Sequence, residues 1–151
     1  MMTACYVDFK MRYLAIDYGT KRTGLAICDP SETIVSPLTV IRSRKELLDK
    51  ISEIVKTENI GAIVLGLPLN MDDSRGFQAR IVLKFAESLR SHLKVPVYLQ
   101  DERLSTYTAE EKLSLANLTK SEIVDRLDAV AAAEILEAFL EHNRPETSEG
   151  T

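Results

Sequence analysis

The apolar residues of this chain change period once, from that of strands to that of helices alternating with strands, and this change limits the fold more than any other feature. From Tyr13 to Ile41 they fall in short runs separated by turn residues. Tyr13–Asp17 reads as a buried strand, Gly19-Thr20-Lys21-Arg22 as a turn and Gly24–Cys28 as a second strand, so the two predict a hairpin. Ile34–Ile41 is a third strand carrying Pro37; proline cannot donate to a ladder, which puts this strand at a sheet edge. After it, Lys45–Thr57 is amphipathic, with Leu47, Leu48, Ile51, Ile54 and Val55 on one helical face. Ala62–Leu65 is apolar at every position and ends in Gly66-Leu67-Pro68, as in a parallel strand covered on both faces. Phe77, Ile81, Val82, Phe85, Ala86 and Leu89 repeat at helical spacing over about four turns. Val95–Leu99 is a further strand. Thr108 with Glu111, and Thr119 with Glu122, have the spacing of capping boxes, the first for a short helix through Ala116 and the second for a last helix to about Leu140.

The order is therefore β-β-β-α-β-α-β-α-α. It predicts an α/β fold: a mixed five-stranded sheet, three antiparallel strands and then parallel ones, with helices on both faces. The 151 residues suit a single domain, residues 1–151, with a continuous core and no internal repeat or linker. Residues 1–10 carry no clear pattern and are expected to be a disordered or over-annotated extension, with Met1, Met2 and Met11 as competing starts. Residues 143–151 are polar and are expected to fray.

Composition narrows the function. No apolar stretch approaches the roughly 20 residues that span a bilayer, and the opening residues lack a secretory leader, so a cytoplasmic protein without membrane contact is expected. Two cysteines and two histidines, in no ligand spacing, do not make a zinc site. A net charge of −4 disfavours nonspecific binding to nucleic acid. The charge is unevenly spread, however: Lys10, Arg12, Lys21, Arg22, Arg42, Arg44 and Lys45 lie in the first third, and the tail from Glu134 is acidic. That asymmetry permits a basic face.

The candidate chemistry lies with three groups of acids. Asp17 ends the first strand, where ligands gather in open α/β sheets, and an acid closing a buried run must be paired, hydrogen-bonded or metal-bound. Capping the turn at Gly19 is the alternative role. Asp101-Glu102-Arg103 follows the last strand; with that strand beside the first, Asp101 or Glu102 would reach the same crevice, unless Arg103 neutralises it. Asp125 and Asp128 share a face of the last helix, and Ala129, Ala131, Ala132 and Ala133 would let that helix approach the sheet closely. An N-terminal-turn role for these acids, favoured by the helix dipole, suits Asp125 better than Asp128. Carboxylates from two strand ends and a helix would form an oxygen-rich cage for one or two Mg²⁺ or Mn²⁺ ions. Around them, Lys21 and Arg22 on the hairpin, and Asn70, Ser74 and Arg75 ahead of the second helix, suit a phosphate-bearing polymer; Ser74 is equally suited to cap that helix.

Four of these segments, in order, resemble the YqgF (RuvX) family of pre-16S ribosomal RNA nucleases related to Holliday-junction resolvases. They are Asp17-Tyr18-Gly19-Thr20-Lys21-Arg22-Thr23-Gly24-Leu25-Ala26, Gly66-Leu67-Pro68-Leu69-Asn70-Met71-Asp72, Asp101-Glu102-Arg103-Leu104-Ser105-Thr106, and Asp128 ahead of Ile135-Leu136-Glu137. The resemblance runs from about Arg12 to Leu140. It implies a ribonuclease H-like fold and a metal-dependent nuclease of ribosome biogenesis, with Asp17, Glu102 and Asp128 at the family's acidic positions. Nucleic-acid contacts are expected at Lys21, Arg22, Asn70, Ser74, Arg75 and Arg103. Resolvase-like relatives carry a paired Asp on the last helix, which makes Asp125 an optional fourth ligand. Asp72-Asp73-Ser74 stands where the family commonly has Asp-Gly-Ser, a change expected to alter the turn of that loop.

Three other readings compete. A junction resolvase would cut branched DNA with the same acids and would need a homodimer, whereas an RNA nuclease can act as a monomer. Asp17-Tyr18-Gly19-Thr20 also resembles the phosphate hairpin of sugar-kinase, actin and heat-shock-chaperone ATPases, but those proteins need a second such hairpin and a longer chain. The third is a non-catalytic RNA-binding ribosome-assembly factor, which could dispense with metal ligands.

Overall fold

The computed structural model describes residues 11–69, 76–102 and 119–143. Among them are strands β1 (Tyr13–Tyr18), β2 (Thr23–Cys28), β3 (Val35–Ile41), β4 (Ala62–Leu67) and β5 (Val97–Asp101). Helix α1 spans Leu47–Thr57, α2 Phe77–His92 and α3 Lys120–His142. The strands form one sheet in the order β3-β2-β1-β4-β5. The first three are antiparallel neighbours, while β4 runs parallel to both β1 and β5. Pro37 does sit on an edge strand, and the ladder shifts register beside it, between Leu25 and Ala26.

The period of two in each strand sorts the core into two layers. Leu14, Ile16, Leu25, Ile63 and Leu65 point to one face, where they meet Leu47 and Ile51 of α1 and Ala79, Val82 and Leu89 of α2. Ala15, Ala26 and Val64 point to the other, against Ala132, Ala133, Leu136 and Phe139 of α3. The second layer is built from small residues on both sides, so α3 lies close on the sheet. Thr119 caps it as expected: its Oγ1 accepts from the Glu122 N–H at 3.1 Å, and its own N–H donates to Glu122 at 2.9 Å.

The structure departs from the sequence reading at several points. β4 lies between β1 and β5, so the strand carrying the second acidic group is not adjacent to the first. Phe77 begins the stripe expected to be buried on α2, yet it is 77% exposed, while Ala79 in the same turn is the first residue of the helix to enter the core. The short helix expected over 108–116 lies outside the described residues, as do residues 1–10 and the tail beyond Asn143. Asn143 itself closes α3 by donating from Nδ2 to the Phe139 carbonyl at 2.8 Å.

Candidate active site

The site takes shape along one row of residues across the carboxyl ends of the parallel strands. Asp17 stands opposite Gly24 in the β1–β2 ladder. On its other side, Ile16 pairs with Leu65, which sets Asp17 level with Gly66, and Gly66 pairs with Gln100 of β5. Gly24, Asp17, Gly66 and Gln100 therefore line up on the face covered by α3. A carboxylate is flanked on both sides by residues without side chains.

Both glycines are needed for close approach. A Cβ at Gly24 would strike the backbone carbonyl of Asp128, so the missing side chain lets α3 rest directly on β2 at the residue carrying the third acid. A Cβ at Gly66 would lie 2.6 Å from Glu102 Oε2 and 2.5 Å from Ile135 Cδ1. The Glu102 carboxylate thus lies over Gly66, in the space a side chain on β4 would fill. This is how it reaches toward Asp17 although β4 intervenes; adjacent strands are about 4.8 Å apart, and Glu102 extends back across one of them.

The electrostatics bear out this proximity. Burial, and then the charge of Asp128, push Asp17 up to about 6. Burial, followed by the charges of Asp17 and Asp101, pushes Glu102 up to about 7. Asp17 is thus the centre of the group, in electrostatic reach of an acid on either side. An oxygen-only donor set with unrelieved repulsion is what a hard divalent cation neutralises, so these residues fit Mg²⁺ or Mn²⁺ by their chemistry. As they stand, no three acids among the described residues are gathered tightly enough to grip one ion.

Asp128 is held elsewhere: it forms an ion pair with Arg22 Nε, and both side chains are partly buried. Arg22, expected to serve nucleic acid, is therefore engaged within the protein. Asp125, the optional fourth ligand, pairs with Arg42 toward the β3 edge of the sheet. Lys21 is exposed at the tip of the hairpin. Asn70, Ser74, Arg75 and Arg103 lie outside the described residues.

The hairpin that carries Lys21 and Arg22 is braced from below. Arg44 Nη2 donates to the carbonyls of Gly19 and Thr20, each at 3.2 Å, and its guanidinium lies 5.0 Å from the Tyr18 ring centroid. Tyr18 in turn stacks on Phe85 of α2 at 4.0 Å. Arg44 therefore has a structural role, and so does Arg12, which donates to the carbonyls of Cys28 and Glu58. Gln100 was not anticipated in the site. It is 6% exposed, and its Nε2 has no hydrogen-bond partner among the described residues. The period of two was the available signal, since it sets Gln100 and Glu102 on the same face.

Comparison with known proteins bears on the family and the fold. The model of the family described as "RuvX: Holliday junction resolvase" matches residues 11–142. A relative from an Anaeromyxobacter species is 44% identical over 133 residues, covering 87% of this chain and 97% of its own. One from Maridesulfovibrio salexigens is 41% identical over 132 residues, covering 86% and 98%. Both carry the name "Putative pre-16S rRNA nuclease". Among solved structures, Thermus thermophilus RuvC in complex with Holliday junction substrate aligns with a TM-score of 0.55 at 13% identity, over 89% of this chain and 97% of that one. A second Thermus thermophilus RuvC structure gives 0.50 at 16% identity, over 87% and 96%. At such identities the likeness is one of fold, and that fold is ribonuclease H-like.

Proposed function

This chain belongs to the RuvX family, and from that membership we propose that it is a divalent-metal-dependent nuclease that processes the 5′ end of pre-16S rRNA in the cytoplasm. The observation that carries the reading is the row Gly24–Asp17–Gly66, with Asp128 and Glu102 brought in over the two glycines. A structural turn cap at Asp17 would need neither glycine nor two further acids in electrostatic reach.

In this reading Asp17, Glu102 and Asp128 hold Mg²⁺ or Mn²⁺ as one or two ions. The bound metal supplies activation of a water and stabilisation of the leaving oxygen of a phosphodiester. The chain's own residues supply the rest. Gly24 and Gly66 leave room for the backbone at Asp128 and for the Glu102 carboxylate, which brings both acids to the row that holds Asp17. Lys21, exposed on the hairpin beside Asp17, provides positive charge for the strand, while Arg22 is paired with Asp128. Without metal, burial and the charges of Asp17 and Asp101 hold Glu102 at about 7, a repulsion that a bound cation would relieve. The braced hairpin keeps these groups in register with the acids.

A second reading, cleavage of branched DNA by a homodimer, is favoured by the description of the matching family. One experiment separates them: incubation with Mg²⁺ of RNA bearing an unprocessed 5′ leader, beside a four-way DNA junction. Shortening of the leader with the junction left intact is the expected result. Paired, symmetric cuts across the junction would favour the resolvase. Cleavage of neither, with RNA binding retained, would favour a non-catalytic assembly factor.

A further inference from the structure

Helix α3 carries two aspartates one turn apart, and each is paired with an arginine from the sheet side. Asp125 with Arg42 is the outer pair, with side chains 39% and 53% exposed. Asp128 with Arg22 is the inner one, at 25% and 31%. The inner pair lies at the site, since the backbone of Asp128 rests against Gly24, the ladder partner of Asp17. The residues it joins are 106 apart in the chain.

We propose that Arg22 is a displaceable counter-ion: it holds Asp128 in the ion-free protein and gives that carboxylate up when a divalent cation binds beside Asp17. The inference rests on the nuclease reading and adds a control element to the same site. It accounts for an otherwise puzzling feature, that three acids converge on one row without forming a cage. The missing ligand is present but occupied.

The geometry assigns the movement to Arg22 and not to Asp128. The backbone of Asp128 is pressed against Gly24, where even a methyl group would not fit. The backbone of Arg22 is equally fixed, because a Cβ at Gly19 would strike its carbonyl and because Arg44 ties down Gly19 and Thr20. What remains free to move is the long Arg22 side chain. A divalent ion brings two charges against its one and can engage Asp17 as well as Asp128, so the exchange favours the ion once it is present. A partly exposed pair of this kind is weak enough to be exchanged.

Two measurements test the proposal. The first is calorimetric titration with Mn²⁺. Removing the competing cation should tighten binding, so Arg22→Gln is expected to lower the Mn²⁺ dissociation constant by about three- to tenfold. Arg22→Lys, which keeps the charge, should stay nearer to the wild type, and Arg42→Gln should leave the constant unchanged. The second follows the arginine Nε–H resonances by NMR as Mg²⁺ is added, with Arg22 assigned from its loss in Arg22→Gln. The Arg22 signal should move toward the position of a free guanidinium while that of Arg42 stays in place. Folding of each variant is checked by its thermal midpoint. A folded Arg22→Gln that binds Mn²⁺ no more tightly than the wild type, or an Arg22 signal indifferent to Mg²⁺, overturns the counter-ion role and leaves the nuclease reading standing. A wild-type protein that binds no Mn²⁺ overturns both.

Discussion

Asp17 is an acid whose surroundings discourage it from ionising. Burial and the neighbouring Asp128 hold it at about 6, and Glu102 stands at about 7 for similar reasons. Both therefore bind protons more tightly in the folded chain than in the unfolded one, where ordinary carboxylates titrate near pH 4. Between about pH 4 and pH 7 the folded state holds the extra protons, so without metal its stability must fall as pH rises. The contribution is complete below about pH 4 and gone above about pH 7. Asp29, lowered to about 2 by hydrogen bonds from Ile34 and Thr33, acts below this window and leaves it clear. Urea unfolding of the metal-free protein should accordingly give a lower midpoint at pH 8 than at pH 5. Asp17→Asn should flatten that dependence, and Mg²⁺ should raise the wild-type midpoint at pH 8. A midpoint that rises with pH would contradict the burial of these acids. If the chain is the proposed nuclease, the same Asp17→Asn change in the presence of Mg²⁺ should abolish cleavage while leaving RNA affinity within about threefold, since an acid adds no favourable contact to a phosphate.

At the scale of elements, two glycines do different work for α3 and β5. Gly24 meets helix backbone, which cannot turn aside, so Gly24→Ala should force α3 off the sheet at a cost of about 2–3 kcal/mol. Gly66 meets the ends of two side chains, Glu102 and Ile135, which can rotate away. Gly66→Ala should therefore cost only about 1 kcal/mol in stability, yet lose most of the activity because Glu102 is displaced. Chemical denaturation and cleavage rates measured on the same two variants would show this inversion; a larger stability loss at Gly66 than at Gly24 would refute it. The Thr119–Glu122 box fixes where α3 begins, and Thr119→Ala should lower stability by about 1 kcal/mol, again read from unfolding. That cap was legible because it depends on a spacing of three residues within one segment.

For the whole molecule, what the sequence revealed follows the range of the interactions. Pro37 marked an edge strand because its missing N–H is a local fact, and β4 was legible because every residue of Ala62–Leu65 is apolar. The small-residue stripe of α3 foretold its close approach to the sheet, and Asp17 falls at the end of β1 as expected, whereas Asp101, expected after its strand, is the last residue of β5. Strand order was not available in the same way. Nothing near Val95–Leu99 says that β4 comes between it and β1, so the route by which Glu102 reaches Asp17 emerged only with the fold. The two Arg–Asp pairs join residues 83 and 106 apart, and no local pattern encodes such partners. Phe77 misled because helical spacing alone does not say which residue of the first turn faces the core: Ala79 is buried there and Phe77 is not.

The proposed nuclease needs Asp17, Glu102 and Asp128 to act together on a divalent ion at the carboxyl end of the sheet. Diffraction from crystals soaked in Mn²⁺ at neutral pH, recorded for its anomalous signal, tests this most directly. The expected result is a peak in contact with Asp17 and with Glu102 or Asp128, with Arg22 withdrawn from Asp128. Full occupancy elsewhere, or no peak at Asp17 while Arg22 remains on Asp128, would contradict it.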